Sequence, residues 1–167
     1  MKKTISTIRA LVTVALMAAV VETMTVPVYA GSVPKMENTM EEELLQEINT
    51  LRNNNGLSPL EMDESLTEVA AVRAKEASQK WSHTRPNGKE GVDLVPGNVW
   101  KGENLSTCMS AGDEELTDDI AVELQFSDMC HSKTHRENML FDEYERVGIY
   151  TYKNAAGKVT TAYMFAS

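Results

Sequence analysis

Apolar positions recur along this chain with two periods, and the change from one to the other sets the order of its elements. From Thr39 the spacing is helical: Leu44, Ile48 and Leu51, with Leu45 beside them, form one stripe. Thr39 and Glu42 can satisfy each other's backbone donors in a capping box. Asn53-Asn54-Asn55-Gly56 ends this helix, with Gly56 free to take a left-handed cap. A second helix is predicted from the N-cap Asp63 to about Lys80, burying Leu66, Val69, Ala70, Ala74 and Ala77. Arg73 is expected at the edge of that stripe, its stem on apolar surface and its head in water. Pro86-Asn87-Gly88 forces a turn, and residues 88–100 read as irregular. A third helix is predicted over about Asp113 to Met129, with Ile120, Ala121, Leu124 and Met129 inward, and His131 to Leu140 as a short helical turn. The period then changes. Glu145–Lys153 and Lys158–Phe165 are rich in Val, Ile, Thr and Tyr and flank Asn154-Ala155-Ala156-Gly157, which predicts a hairpin. A short strand near Gly102–Ser106 adds to it. Helices followed by a small antiparallel sheet make an α+β domain in layers.

The amino terminus changes the picture of where the chain works. Lys2, Lys3 and Arg9 precede an apolar run from Leu11 to Val21, and Val28-Tyr29-Ala30 supplies a cleavage signal. That run is too short for a membrane span of about 20 apolar residues. Residues 1–30 are therefore expected to be a signal peptide, 31–38 a flexible leader and 39–167 one domain, secreted and with no membrane span after cleavage. Removing a net +2 with the signal moves the formal charge from −9 to −11. Such acidity argues against nucleic acid or anionic lipid as a partner. Cys108 and Cys130, an even pair in an exported chain, are expected to form a disulfide.

Chemistry is concentrated in His83, Glu103 and His135. Neutral imidazole binds divalent metals and accepts protons, and a carboxylate can orient it. The three are 20 and 32 residues apart, so only the fold can bring them together. His83 and His135 are the metal candidates, with zinc the cofactor such a pair invites, although no cofactor is fixed by the sequence. Glu103 is the candidate general base. His131 and His135 share a helical face, but Ser132 occupies the place where zinc proteases carry their glutamate. His131 is therefore read as a surface residue. No Gly-x-Ser-x-Gly elbow, phosphate loop or dinucleotide fingerprint is present. Arg85 is read as pinning its turn through a carboxylate, Asn138 as bonding backbone, and Trp81 and Trp100 as core or pocket wall.

Several ordered segments resemble the CAP superfamily, the SCP domain of cysteine-rich secretory, antigen 5 and plant pathogenesis-related proteins. They are Glu47-Ile48-Asn49-Thr50-Leu51-Arg52, Ser82-His83-Thr84-Arg85-Pro86-Asn87-Gly88, Gly102-Glu103-Asn104-Leu105, Ser132-x-x-His135-Arg136-x-Asn138-Met139-Leu140 and Val147-Gly148-Ile149. The resemblance spans about residues 41–166 and its Ser-x-x-His form is that of bacterial members. It implies an α-β-α sandwich with a central antiparallel sheet, and a cleft where His83, Glu103 and His135 converge beside Asn104 and Ser132. Many members outside bacteria carry a second glutamate, which would fall near Ser132, and a tryptophan, which would fall at Met129. Members have been credited with binding sterols, lipids or metal and occasionally with proteolysis. The sequence thus favours a secreted binding module for an extracellular lipid, peptide or cell-surface molecule. The alternative is a metal-assisted, peptidase-like hydrolase using the same cleft.

Overall fold

The computed structural model describes residues 38–110 and 115–167. The expected signal peptide, the leader up to residue 37 and residues 111–114 lie outside the described residues. The elements run α1 (Met40–Asn54), β1 (Glu61–Met62), α2 (Glu64–Gln79), β2 (Lys101–Cys108), α3 (Asp118–His131), α4 (Lys133–Met139), β3 (Arg146–Lys153) and β4 (Val159–Ala166). A 3-10 turn over Gly91–Leu94 lies between α2 and β2.

The strand order is β1-β3-β4-β2, and β4 is buried along its whole length. Successive strand residues face opposite sides. Tyr163 and Phe165 accordingly join Leu44 and Ile48 of α1, Val122 and Met129 of α3, and Met139 of α4. Ala162, Met164 and Ala166 join Leu66, Ala70, Ala74 and Ala77 of α2. The result is an α-β-α sandwich of the α+β class. Its sheet is mixed rather than purely antiparallel, because β1 pairs in parallel with β3 through Glu61↔Arg146 and Met62↔Val147. Two residues are too few to show a strand period, so the pattern carries no sign of β1.

Local signals set the helix ends. The Thr39–Glu42 capping box forms in both directions, and Asp63 accepts from the Leu66 amide. Gly56 takes φ 75°, the left-handed stop that lets the Leu57 amide reach Arg52 O at 3.0 Å. A side chain at Gly148 would overlap the backbone of Leu66 and Thr67, so glycine lets α2 lie directly on β3.

Two expectations for α3 are corrected. It begins at Asp118, capped by Thr117, rather than near Asp113. Ile120 and Leu124 are 44% and 45% exposed, while Ala121, Val122, Gln125 and Met129 face inward. The inward face is chosen by polar satisfaction as well as hydrophobicity. Gln125 accepts from the buried Ser106 hydroxyl, which also meets Tyr163 Oη at 3.2 Å. A leucine there would take the amide acceptor away from the buried Ser106 hydroxyl.

The expected disulfide is absent; Cys108 and Cys130 are free thiols. Cys108 meets Gln125 Nε2 at 3.5 Å and Ala121 O at 4.0 Å on one side of α3. Cys130 lies five residues beyond Gln125, about 140° further round the helix and about 7 Å along it. It packs towards α1 instead. A rigid helix thus keeps the thiols apart, and burial raises both of their pKa values.

Arg52 is fully buried without a carboxylate partner in hydrogen-bond contact. It donates to the carbonyls of Ser58 (2.8 Å), Met139 (2.9 Å), Phe141 (2.9 Å) and Tyr144 (3.1 Å). It therefore clamps the α4–β3 connection onto α1. Arg52→Leu orphans these carbonyls and is expected to cost roughly 3 kcal/mol or more of unfolding free energy. Urea denaturation checks this; a loss within about 0.5 kcal/mol, the ordinary range for surface substitutions, would contradict it.

Candidate functional site

β2 is an edge strand, so residues carried by both helical layers can meet at its free side. A cavity of about 490 Å³ lies there, with His83, Glu103 and His135 all in its wall. Each arrives by a different route. Glu103 is on β2, paired with Met164 of β4. His83 sits in a loop closed by the Gly91 amide donating to His83 O (2.9 Å) and a bridge between Thr84 and Glu90. His135 rides on α4, whose place is set by Asn104 Nδ2 donating to His135 O at 3.0 Å.

The electrostatic centre is Glu103. Its Oε2 accepts from Arg73 Nε at 2.6 Å, and its Oε1 accepts from Arg73 Nη2 at 3.2 Å. Oε1 also lies 2.7 Å from His83 Nδ1. The Glu103 side chain is 3% exposed and that of Arg73 1%, whereas His83 is 55% exposed. Arg73 is thus buried at the heart of the site, not at a helix edge with its head in water. It also donates to Glu76 Oε2 (2.6 Å) and Ser82 O (2.8 Å). Glu76 in turn accepts from Arg85 at 2.8 Å, the carboxylate pin expected for that turn. Burial alone would lower the Arg73 pKa, but hydrogen bonds and charge from Glu103 and Glu76 outweigh it and raise it.

Two glycines make this approach possible. A Cβ on Gly91 would overlap Glu103 Oε2 and Arg73 Nε; one on Gly102 would overlap Tyr144 Oη and Asn138 Oδ1. Asn138 bonds side chains rather than backbone: it donates to Asn104 Oδ1 at 2.9 Å and accepts from Tyr144 Oη at 3.0 Å. Asn104 lines the cleft, as expected, while remaining almost fully buried, so it acts there as scaffolding.

Ser132 does not line this cavity. It lies in an adjoining recess with Trp81, Asp128 and the other side of His135. Trp100 forms part of the main wall but is 60% exposed, meeting Phe141 edge-on at 5.5 Å. The sequence gives no sign that Arg73, Phe141 or Tyr144 belongs to the site. Arg73 has a readable signal of burial, since it falls seven residues after Leu66 and three after Ala70, squarely on the buried stripe.

Catalytic zinc sites use three protein ligands and leave one position open. Here Glu103 is held by Arg73 and His83, and Ser132 faces the adjoining recess. Among the described residues no three His, Cys, Asp or Glu side chains are grouped to hold a metal ion.

The two imidazoles are driven in opposite directions. The Glu103 hydrogen bond raises the His83 pKa, with burial opposing it and the Glu103 charge adding to it. Burial lowers that of His135, and the nearby His83 charge adds to the shift. His83 therefore contributes stability that is full below its unfolded pKa, about 6.5, and fades as pH rises through its folded value. The His135 contribution is full above about 6.5 and is lost as pH falls through its folded value. Histidine NMR titration is expected to give His83 the higher pKa. Glu103→Gln should narrow the gap, and Gly91→Ala should narrow it less. Coincident titrations in the unsubstituted protein would contradict this electrostatic arrangement.

The sequence matches the cysteine-rich secretory protein family, CAP, over residues 45–165. No curated protein sequence matches it. Solved structures share the fold at low identity. An outer surface protein from Borrelia burgdorferi is 20% identical with a TM-score of 0.62, covering 78% of this chain and 96% of its own. An extracellular SCP-domain protein from Bacillus anthracis is also 20% identical, with a TM-score of 0.60, covering 76% of this chain and 40% of its own. A cysteine-rich secretory protein from Staphylococcus aureus is 17% identical with a TM-score of 0.54, covering 76% and 38%. Together with the layered fold, the match over residues 45–165 places this chain in the CAP family of cysteine-rich secretory proteins.

Proposed function

We propose that this protein is an exported CAP module whose cleft binds an extracellular ligand, a lipid, peptide or cell-surface molecule, without catalysing a reaction. The observation that carries the reading is the state of Glu103. Both of its oxygens are engaged, by Arg73 and His83, so it orients the wall rather than waiting to take a proton. A general base must be within hydrogen-bond reach of the proton it abstracts, with an oxygen able to receive it. The described chain offers no serine elbow, and the thiols of Cys108 and Cys130 do not line the cleft.

The cavity has the makeup of a binding pocket. Trp100, Phe141 and Tyr144 give apolar area, while His83, His135 and Thr134 give a few directed polar groups. Export is supported by Lys2, Lys3 and Arg9 ahead of the apolar run from Leu11 to Val21. No helix among the described residues is long and apolar enough to cross a membrane.

Thermal-shift screens with fatty acids, sterols, peptides and glycans test this reading. A ligand at about a hundred times its Kd stabilises the folded state by about 2.7 kcal/mol. A hit is expected to lose most of its shift in Trp100→Ala and His135→Ala. Peptide hydrolysis abolished by Glu103→Gln would overturn the reading, as would a ligand shift unaffected by either cleft variant.

A further inference from the structure

A second cavity, of about 550 Å³, lies between α1 and α3 and shares no lining residue with the cleft. Its floor is apolar: Val122, Phe126 and Cys130. Burial raises the Cys130 pKa, so the floor holds a neutral thiol. Its sides are acidic. Glu43 and Glu47 come from α1, and Asp119 and Glu123 from α3. Each pair is spaced four residues apart, about 6 Å along its helix. The groove thus runs between two short rails of negative charge.

Arg136 is the opposing charge whose field reaches the Cys130 thiol on the floor, and it forms no ion pair with either rail. None of the four carboxylates takes part in an ion pair among the described residues. The only basic side chain in the lining is His131, whose Nδ1 is 2.8 Å from Ser127 O and so donates to it. Apolar surface continues beyond the rim. Ile120 and Leu124, one turn apart on α3, are 44% and 45% exposed. At about 100° per residue Ile120 falls within about 20° of both Ser127 and His131, and Leu124 within about 20° of His131, at the groove's border.

We propose that this groove docks a basic amphipathic segment of a partner protein, with apolar side chains on Phe126 and Val122 and lysines or arginines against both rails. This surface is separate from the cleft and independent of what the cleft binds. Charge complementarity selects the occupant. A fatty acid fits the floor but brings a carboxylate among four others, and like-charge juxtaposition is costly. A small amine answers one rail and leaves the opposite one unanswered. A segment carrying cations on both sides of an apolar strip answers both rails and covers Ile120 and Leu124 as well. Individual rim pairs are weak, so affinity comes from the buried apolar contacts, while the rails supply steering and salt dependence.

The test uses a fluorescein-labelled peptide of leucine and lysine with amphipathic helical spacing, read by anisotropy against the whole protein. Glu47→Lys with Glu123→Lys is expected to weaken binding at least about tenfold and flatten its salt dependence. Phe126→Ala is expected to weaken binding with the salt dependence kept. Glu68→Lys with Glu143→Lys makes the same change in net charge at exposed sites elsewhere and is expected to leave binding within about twofold, as is Trp100→Ala in the cleft wall. Equal losses in the two charge-reversed proteins would reduce the effect to bulk attraction and overturn the proposal. Loss in Trp100→Ala would move the peptide to the cleft and overturn it too. Palmitate displacing the peptide from the groove would show a lipid site instead.

Discussion

A guanidinium and a carboxylate removed from water almost completely must find partners for their polar atoms, and each nitrogen of Arg73 and each oxygen of Glu103 has one. Burying such a pair costs several kcal/mol per ion, which the mutual attraction offsets only when the remaining groups are also satisfied. Here Arg73 additionally reaches Glu76 and Ser82 O, while Glu103 reaches the half-exposed His83. The pair joins α2 to the edge strand β2 and draws the loop of His83 onto both. The geometry of one cleft wall follows from it, as does the need for glycine at position 91.

The opposite wall depends on a second buried arginine that works by different means. Arg52 binds four carbonyls, one at the last residue of α4 and two in the α4–β3 connection that carries Phe141 and Tyr144. Tyr144 then passes the constraint through Asn138 to Asn104 on β2. Each helical layer thus fixes its own side of the cleft with one arginine, and β2 is the element they share. The surroundings of the two imidazoles differ in consequence. His83 leans on a carboxylate at the rim, whereas His135 stands on α4 with no such partner among the described residues, and their proton affinities separate.

Much of the fold is legible in the sequence because apolar period and capping are local properties. Thr39, Asp63, Gly56 and the Asn154 turn do in the folded chain what their sequence context indicates. Reading fails where a polar group outcompetes an apolar one for an inward position. The charge of Arg73 argues for water, although its spacing from Leu66 puts it on the buried face. The hydrophobicity of Leu124 argues for the core, yet Gln125 takes the place because the buried Ser106 hydroxyl needs an acceptor. The disulfide expectation fails for a geometric reason, since two cysteines in an exported chain say nothing about which side of α3 each meets. His83, Glu103 and His135 are noticeable through motif resemblance, as is Asn104, which holds His135, yet the Arg73 that holds Glu103 lies outside every one of those segments.

A double-mutant cycle on Arg73→Met and Glu103→Gln, followed by denaturant unfolding, bears on all of this at once. Each single substitution strands a buried charge, so the doubly substituted protein is expected to be more stable than the sum of the two losses allows, by more than about 1 kcal/mol. Additive losses would mean that the two side chains do not act as a unit, and the cleft wall would then need another anchor.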